Sequence, residues 1–244
     1  MKGMLAIYCR ELLILKKRFF RQLASMSVSP LLYLVAFGLG MGKGVRVGEH
    51  SYLEFLIPGL VAMSSMVQAF AIASEINIAR FYWHIFEEFQ AAPIRNISYV
   101  TGEVLAGITR ALFSTLIILF IALLSGIALS YNVYFWAGVI LNSFVFASLA
   151  VGLAMLVKSH SDQALLTNFF ITPMAFLGGT FFPVDRMPGW VQAILHFLPL
   201  THSSKMIRAA AFGEPVDILS YALLAGLGAV LFVLAFHWVN KARQ

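Results

Sequence analysis

No charged side chain stands between residues 218 and 239. A helix that crosses a bilayer needs about 20 mostly apolar residues, and this stretch is long enough. Five more stretches meet that length or nearly do: 22–41, 52–76, 100–130, 134–157 and 164–182. Pro30 and Pro173 interrupt the first and fifth, which is tolerated where neighbouring helices re-satisfy the freed backbone groups. The chain is 60% hydrophobic and only 11% charged, against about 25% charged for a soluble domain. One water-exposed domain could not bury this much apolar surface, and disorder is excluded for the same reason. The expected fold class is therefore all-α integral membrane, with six transmembrane helices in a single domain over 1–244. The basic start is too long for a cleaved leader, so 22–41 is read as an uncleaved first span.

Charge placement orients the spans. Lys2, Arg10, Lys16, Lys17, Arg18 and Arg21 precede the first run, and Arg80, Arg95, Lys158, Lys241 and Arg243 fall on the same side. Lys43, Arg46, Arg186, Lys205 and Arg208 fall on the other. Eleven cations against five place both termini in the cytoplasm. The net charge of +6 thus reflects membrane orientation rather than nucleic-acid binding. Cys9 is the only cysteine, so no intrachain disulfide can form.

Three segments do not span. In 1–21, Leu5, Tyr8, Leu12, Leu15 and Phe19 recur at helical spacing, with Arg10, Glu11, Lys17, Arg18 and Arg21 on the opposite side. This predicts an amphipathic helix in the cytoplasmic interface, its cations facing lipid headgroups. The second segment, 80–95, is a cytoplasmic connection dense in aromatics. Phe81, Ile85 and Phe89 share a helix face, Glu87 and Glu88 lie on the polar side, and Pro93 ends the helix. Such a face needs a lipid surface or a partner's groove. The third, 183–217, lies outside and is punctuated by Pro183, Pro188 and Pro199 around an apolar stripe that includes Trp190. It is too short to span and too apolar to float free, so it reads as a re-entrant or interfacial hairpin.

Residues that could carry chemistry are few. The glycines around Lys43 lack the spacing of a phosphate loop. The six histidines include no HExxH pair, and no metal site is expected. Glu103 and Arg110 are seven residues apart on one face of the third segment and are candidates for an intramembrane ion pair. Glu54 and Glu75 read as boundary residues of the second span. Asn142, Ser143, Ser148, Asn168 and Thr172 form a modest polar cluster, read as interhelical hydrogen bonding. With no nucleotide site and no proton relay in the chain, any transport must be driven from outside it. The aromatic helix of 80–92 is the obvious place for the driver to dock.

The order of these features resembles the ABC-2 type permeases, the membrane subunits of ABC exporters. EFLIPGLVAMS (54–64), FEEFQAAPIRNISYVTGEVLAGITRA (86–111), FLGGTFFPVDRMPGWVQ (176–192) and LPLTHSSKMIR (198–208) carry the match. The resemblance is closest to the branch of nodulation lipo-oligosaccharide and daunorubicin-type exporters. It implies a homodimeric permease of the bacterial inner membrane, moving an amphiphilic substrate. ATP and Mg would be held by a separate ATPase, and this chain itself would bind no cofactor and be no enzyme. It also implies that Arg80, Phe81, Trp83, Ile85, Phe86, Glu87, Glu88, Phe89, Pro93 and Arg95 couple to that ATPase. An outer gate would include Phe181, Phe182, Pro183, Trp190, Pro199 and His202. The aromatics Phe81, Tyr82, Trp83 and Phe86 depart from the smaller aliphatics of many members. The competing readings are a membrane-embedded enzyme or assembly scaffold, and a proton-coupled carrier.

Overall fold

The computed structural model describes residues 2–41, 44–83, 85, 88, 92, 94–127 and 129–242. The N-terminal arm is one helix, α1 (Lys2–Lys17), which breaks at Arg18. Helix α2 (Phe19–Tyr33) follows and runs on as a π-helical segment, Leu34–Met41. Pro30 lies inside α2, four residues before the change of winding. A two-stranded hairpin, β1 (Arg46–Val47) and β2 (His50–Ser51), then turns at Gly48, whose φ of +64° suits a residue without Cβ.

Ser51 starts the central rod. Its hydroxyl accepts from the Glu54 backbone N–H at 3.3 Å, and the Glu54 carboxylate accepts from the Ser51 N–H at 2.7 Å. This capping box satisfies two of the donors left open at a helix start. It opens α3 (Tyr52–Phe70), which continues past Ala71 as α4 (Ile72–Phe81). Helix α5 (Asn96–Leu124) is followed by a turn with Gly126 at φ +72°, and then by α6 (Val133–Leu156), capped by the Asn132 side chain. Next come α7 (His160–Leu166), a π-helical turn Thr167–Ile171, and α8 (Thr172–Leu177). A 3₁₀ turn (Val184–Arg186), α9 (Gly189–Leu195) and α10 (Pro199–Phe212) form the segment expected to lie outside, and α11 (Ile218–Ala242) follows.

The packing centres on α3, which is buried along most of its length between α5 and α6. Helix α11 lies along α6, α1 along α5, and α10 caps the outer ends of α3 and α6. Asn142 on α6 donates to the Ala62 carbonyl at 2.9 Å and to the Ser65 hydroxyl at 2.8 Å on α3, the interhelical role expected of it. Gly59 lets the outer loop reach α3, since a Cβ there would stand 2.5 Å from the Thr180 carbonyl oxygen.

Four helical stretches among the described residues are long and apolar enough to cross a membrane: Tyr52–Phe81, Asn96–Leu124, Val133–Leu156 and Ile218–Ala242. They correspond to four of the six expected spans. The expected spans at 22–41 and 164–182 are the two composite ones. Pro173 has no N–H to give to the helix ladder, and next to it the Thr172 N–H bonds back five residues to the Thr167 carbonyl. Proline and π winding together replace a uniform α-helix with a jointed one. The segment read from the sequence as an outer hairpin holds two helices, α9 and α10, with Pro199 at the start of α10.

Candidate functional site

The charges of this chain meet where α1, α4 and α5 come together. Helix α1 docks through Ile7, whose side chain packs where Gly102 of α5 leaves room, while Tyr8 shares a 2.8 Å hydrogen bond with Thr109. One turn further on, Glu11 is only 7% exposed. Its carboxylate accepts from Arg10 at 2.7 Å and lines one recess with Glu75 of α4. Arg110 of α5 forms an ion pair with Glu75. Glu103, one helical turn below Gly107 on α5, is 2% exposed, and its Oε2 has no hydrogen-bond partner among the described residues. Burial pushes the Glu11 carboxyl from its ordinary 4.5 up to about 7, against the pull of Arg10, with the Glu75 charge adding to the rise.

This arrangement corrects three expectations. Glu11 was placed with the cations on the headgroup face of α1, but it points into the protein, because that is where Arg10 and Arg110 can compensate it. Glu103 and Arg110 were candidates for pairing with each other. They lie two turns apart, about 10 Å along the axis, and Arg110 takes Glu75 of the neighbouring helix instead. Glu75, read as a boundary residue, is a central member of the cluster. Lys17, Arg18 and Arg21 remain exposed at the α1–α2 corner, as expected of an interfacial face.

The segment expected to couple to an ATPase begins where α4 ends. Arg80 donates to the carbonyls of Ala154 (3.1 Å) and Met155 (3.0 Å), and its guanidinium lies over the Phe81 ring. It therefore closes the C-terminus of α6, where a cation also meets the negative end of the helix dipole. Tyr82 and Trp83 follow, 66% and 50% exposed. Ile85 is half-buried, Glu88 and Arg95 are exposed, and the Ala92 N–H bonds back to the Glu88 carbonyl at 3.0 Å, one helical turn. Phe86, Glu87, Phe89 and Pro93 lie outside the described residues. Asn96, just beyond, bonds to Asn240 of α11 at 2.5 Å. The start of the chain, the aromatic turn and the end of α11 thus share one face of the molecule.

The outer-gate candidates fall into two groups. Phe181 is buried in an aromatic cluster with Tyr33, Phe37 and Phe176, at centroid distances of 4.8 to 5.4 Å, and its carbonyl accepts from Tyr52 at 2.8 Å. Phe182 packs half-buried on the same core. Trp190 on α9 is 70% exposed, and His202 on α10, one turn after the half-buried Pro199, bonds to the His196 carbonyl. Pro183 borders a separate outer cleft of about 570 Å³ between the β-hairpin and α10. There Arg208 donates to the carbonyls of Phe55 and Gly179 and stacks 3.8 Å over the Phe55 ring. Its burial draws the guanidinium pKa down to about 10, so it stays charged at neutral pH. Sequence reasoning missed Arg208, because a basic residue on a short outer helix looks like a solvated one.

Comparison with known proteins follows from this architecture. The sequence profile of the ABC-2 type transporter family matches residues 3–212. Nodulation protein J of Neorhizobium galegae is 33% identical over 216 residues, covering 86% of this chain and 82% of its own length. Nodulation protein J of Rhizobium leguminosarum bv. trifolii is 33% identical over 221 residues, covering 87% and 82%. The inner membrane transport permease YadH of Escherichia coli K12 is 27% identical over 243 residues, covering 96% and 91%. The chain belongs to the ABC-2 type transporter family.

Proposed function

We propose that this chain is the permease subunit of an ATP-driven exporter in a bacterial inner membrane, worked by a separate ATPase bound to its cytoplasmic face. The observation that carries the reading is the exposed Tyr82–Trp83 turn. It projects from the end of the central rod, beside α1 and beneath the charged junction. A partner that grips this turn can pull on α4, and through Glu75 on α1 and α5. Six crossings with both termini in the cytoplasm fit the common face shared by α1, Asn96 and Asn240, because ends on one side require an even count. The jointed segments Phe19–Met41 and His160–Leu177 are then the first and fifth spans. Two copies of the chain form the conduit. The exposed Phe169 and Phe170 of the fifth span are a surface for the second copy. The relatives named for nodulation and inner membrane transport support a transport role, and the family resemblance suggests an amphiphilic cargo such as a lipid-linked saccharide.

Co-expression with an ABC ATPase from the same organism tests the reading. The complex should co-purify, and Tyr82→Ala with Trp83→Ala should reduce its yield and abolish substrate-stimulated ATP hydrolysis. Undiminished association and transport in that double variant would remove the coupling assignment. Transport sustained by a proton gradient without ATP would remove the exporter reading itself.

A further inference from the structure

The buried junction of α1, α4 and α5 gathers three carboxyls, Glu11, Glu75 and Glu103, around two guanidiniums, Arg10 and Arg110. Fully ionised, it would carry one uncompensated negative charge away from water, a state proteins avoid by binding a proton. Glu11 shares one buried recess with Glu75 and Glu103, so its own charge is the one that a bound proton most readily removes. We propose that Glu11, in the recess it shares with Glu75, is a proton-binding site that holds α1 against α4 and α5, and that losing the proton releases α1.

The surroundings support a site of this kind. Among the described residues, the titratable and charged groups facing Glu11 come from each element packed against it. Arg10 sits beside it on α1, Glu75 faces it from α4, Arg110, Glu103 and Tyr99 face it from α5, and Arg18 stands at the α1–α2 corner. The guanidiniums are already engaged: Arg110 with Glu75, and Arg10 with Glu11. The Glu103 Oε2, without a hydrogen-bond partner among the described residues, adds to the surplus of acceptors. A recess of about 160 Å³ runs from Glu11 and Glu75 to the exposed Arg18 and Trp83 and offers the proton a route to the cytoplasmic face.

The direction follows from linkage. The Glu11 pKa rises from 4.5 to about 7 when α1 is docked, so the docked state holds more protons than the released one. Docking is then strongest below about pH 4.5 and weakens as the pH rises through about 7. In the exporter reading α1 is one of the elements moved during each cycle, so cytoplasmic pH sets how readily it moves. The site itself does not depend on that reading.

Cys9 is the chain's only cysteine and is exposed on α1, so a nitroxide there reports on α1 directly. The experiment uses the permease alone, full length, in lipid nanodiscs without ATPase or substrate, so its outcome is separate from that of the exporter reading. The mobile fraction of the label should rise roughly tenfold between about pH 6 and about pH 8, as one titrating group demands. Glu11→Gln should keep the label immobile across that range. Asp162→Asn, an exposed carboxylate elsewhere, should leave the midpoint where it was. Infrared difference spectra should show a protonated carboxyl in the unsubstituted protein at neutral pH that is lost in Glu11→Gln. A label insensitive to pH, a pH response surviving Glu11→Gln, an equal shift from Asp162→Asn, or a carboxyl band unchanged by Glu11→Gln would each overturn the proposal.

Discussion

At the scale of single residues, some charges inside the bundle are compensated by a neighbouring helix rather than by their own. Arg110 and Glu75 illustrate this, because each is compensated by a helix other than its own. Removing one partner leaves the other stranded. Arg110→Ala should destabilise the protein by on the order of 3 kcal/mol, at the low end of such effects because Glu75 keeps a quarter of its side chain exposed. Thermal unfolding in detergent measures it. Arg110→Met combined with Glu75→Gln should recover much of the loss, because neither member of the pair is left charged without the other. Gly59 is a second sensitive residue, where the obstacle is steric. Gly59→Ala would bring Cβ to 2.5 Å from the Thr180 carbonyl and 2.8 Å from Arg208. Forcing the outer loop away should cost about 1–3 kcal/mol and loosen the Arg208 carbonyl contacts. Residue types were legible in the sequence, but partners were not. Seven-residue spacing correctly placed Glu103 and Arg110 on one helix, yet spacing along a helix says nothing about which acid a neighbouring helix presents.

At the scale of elements, α1 is the clearest case of an amphipathic pattern with two possible readings. Its cations suggest a helix lying on headgroups, and Lys17, Arg18 and Arg21 do remain outward. Its docking face, however, is set by Ile7 and Glu11 against α5 and α4. The close approach depends on Gly102, where a Cβ would stand 2.9 Å from the Ile7 side chain and 3.2 Å from the Met4 carbonyl. Gly102→Val should therefore lift α1 from α5, seen as increased mobility of a label on Cys9 at every pH rather than as a shifted midpoint. That contrast separates steric undocking from proton release. The jointed elements are the other lesson at this scale. Pro30 and Pro173 flagged weak points in the sequence, but the compensating π windings, Leu34–Met41 and Thr167–Ile171, carry no sequence signature of their own.

At the scale of the whole molecule, a transport permease must keep a defined sidedness; the cation bias proposes its direction, and packing puts the two ends of the chain on one face. The bond between Asn96 and Asn240 ties the end of α11 to the face that carries α1. A fluorescent protein fused to either terminus should therefore fluoresce in the cytoplasm. Alkaline phosphatase inserted at Gly189 should be active outside; the reverse pattern at any of the three sites would refute the proposed topology. The sequence by itself determined the class of solvent, the number of apolar runs, the bias of cations to one side and the family, because all of these depend on composition and local order along the chain. Only the tertiary structure decided that Glu11 turns inward, that Arg110 meets Glu75 rather than Glu103, and that Arg80 caps α6. Those outcomes depend on which helices become neighbours, and a buried charge goes wherever the nearest opposite charge lowers its desolvation cost.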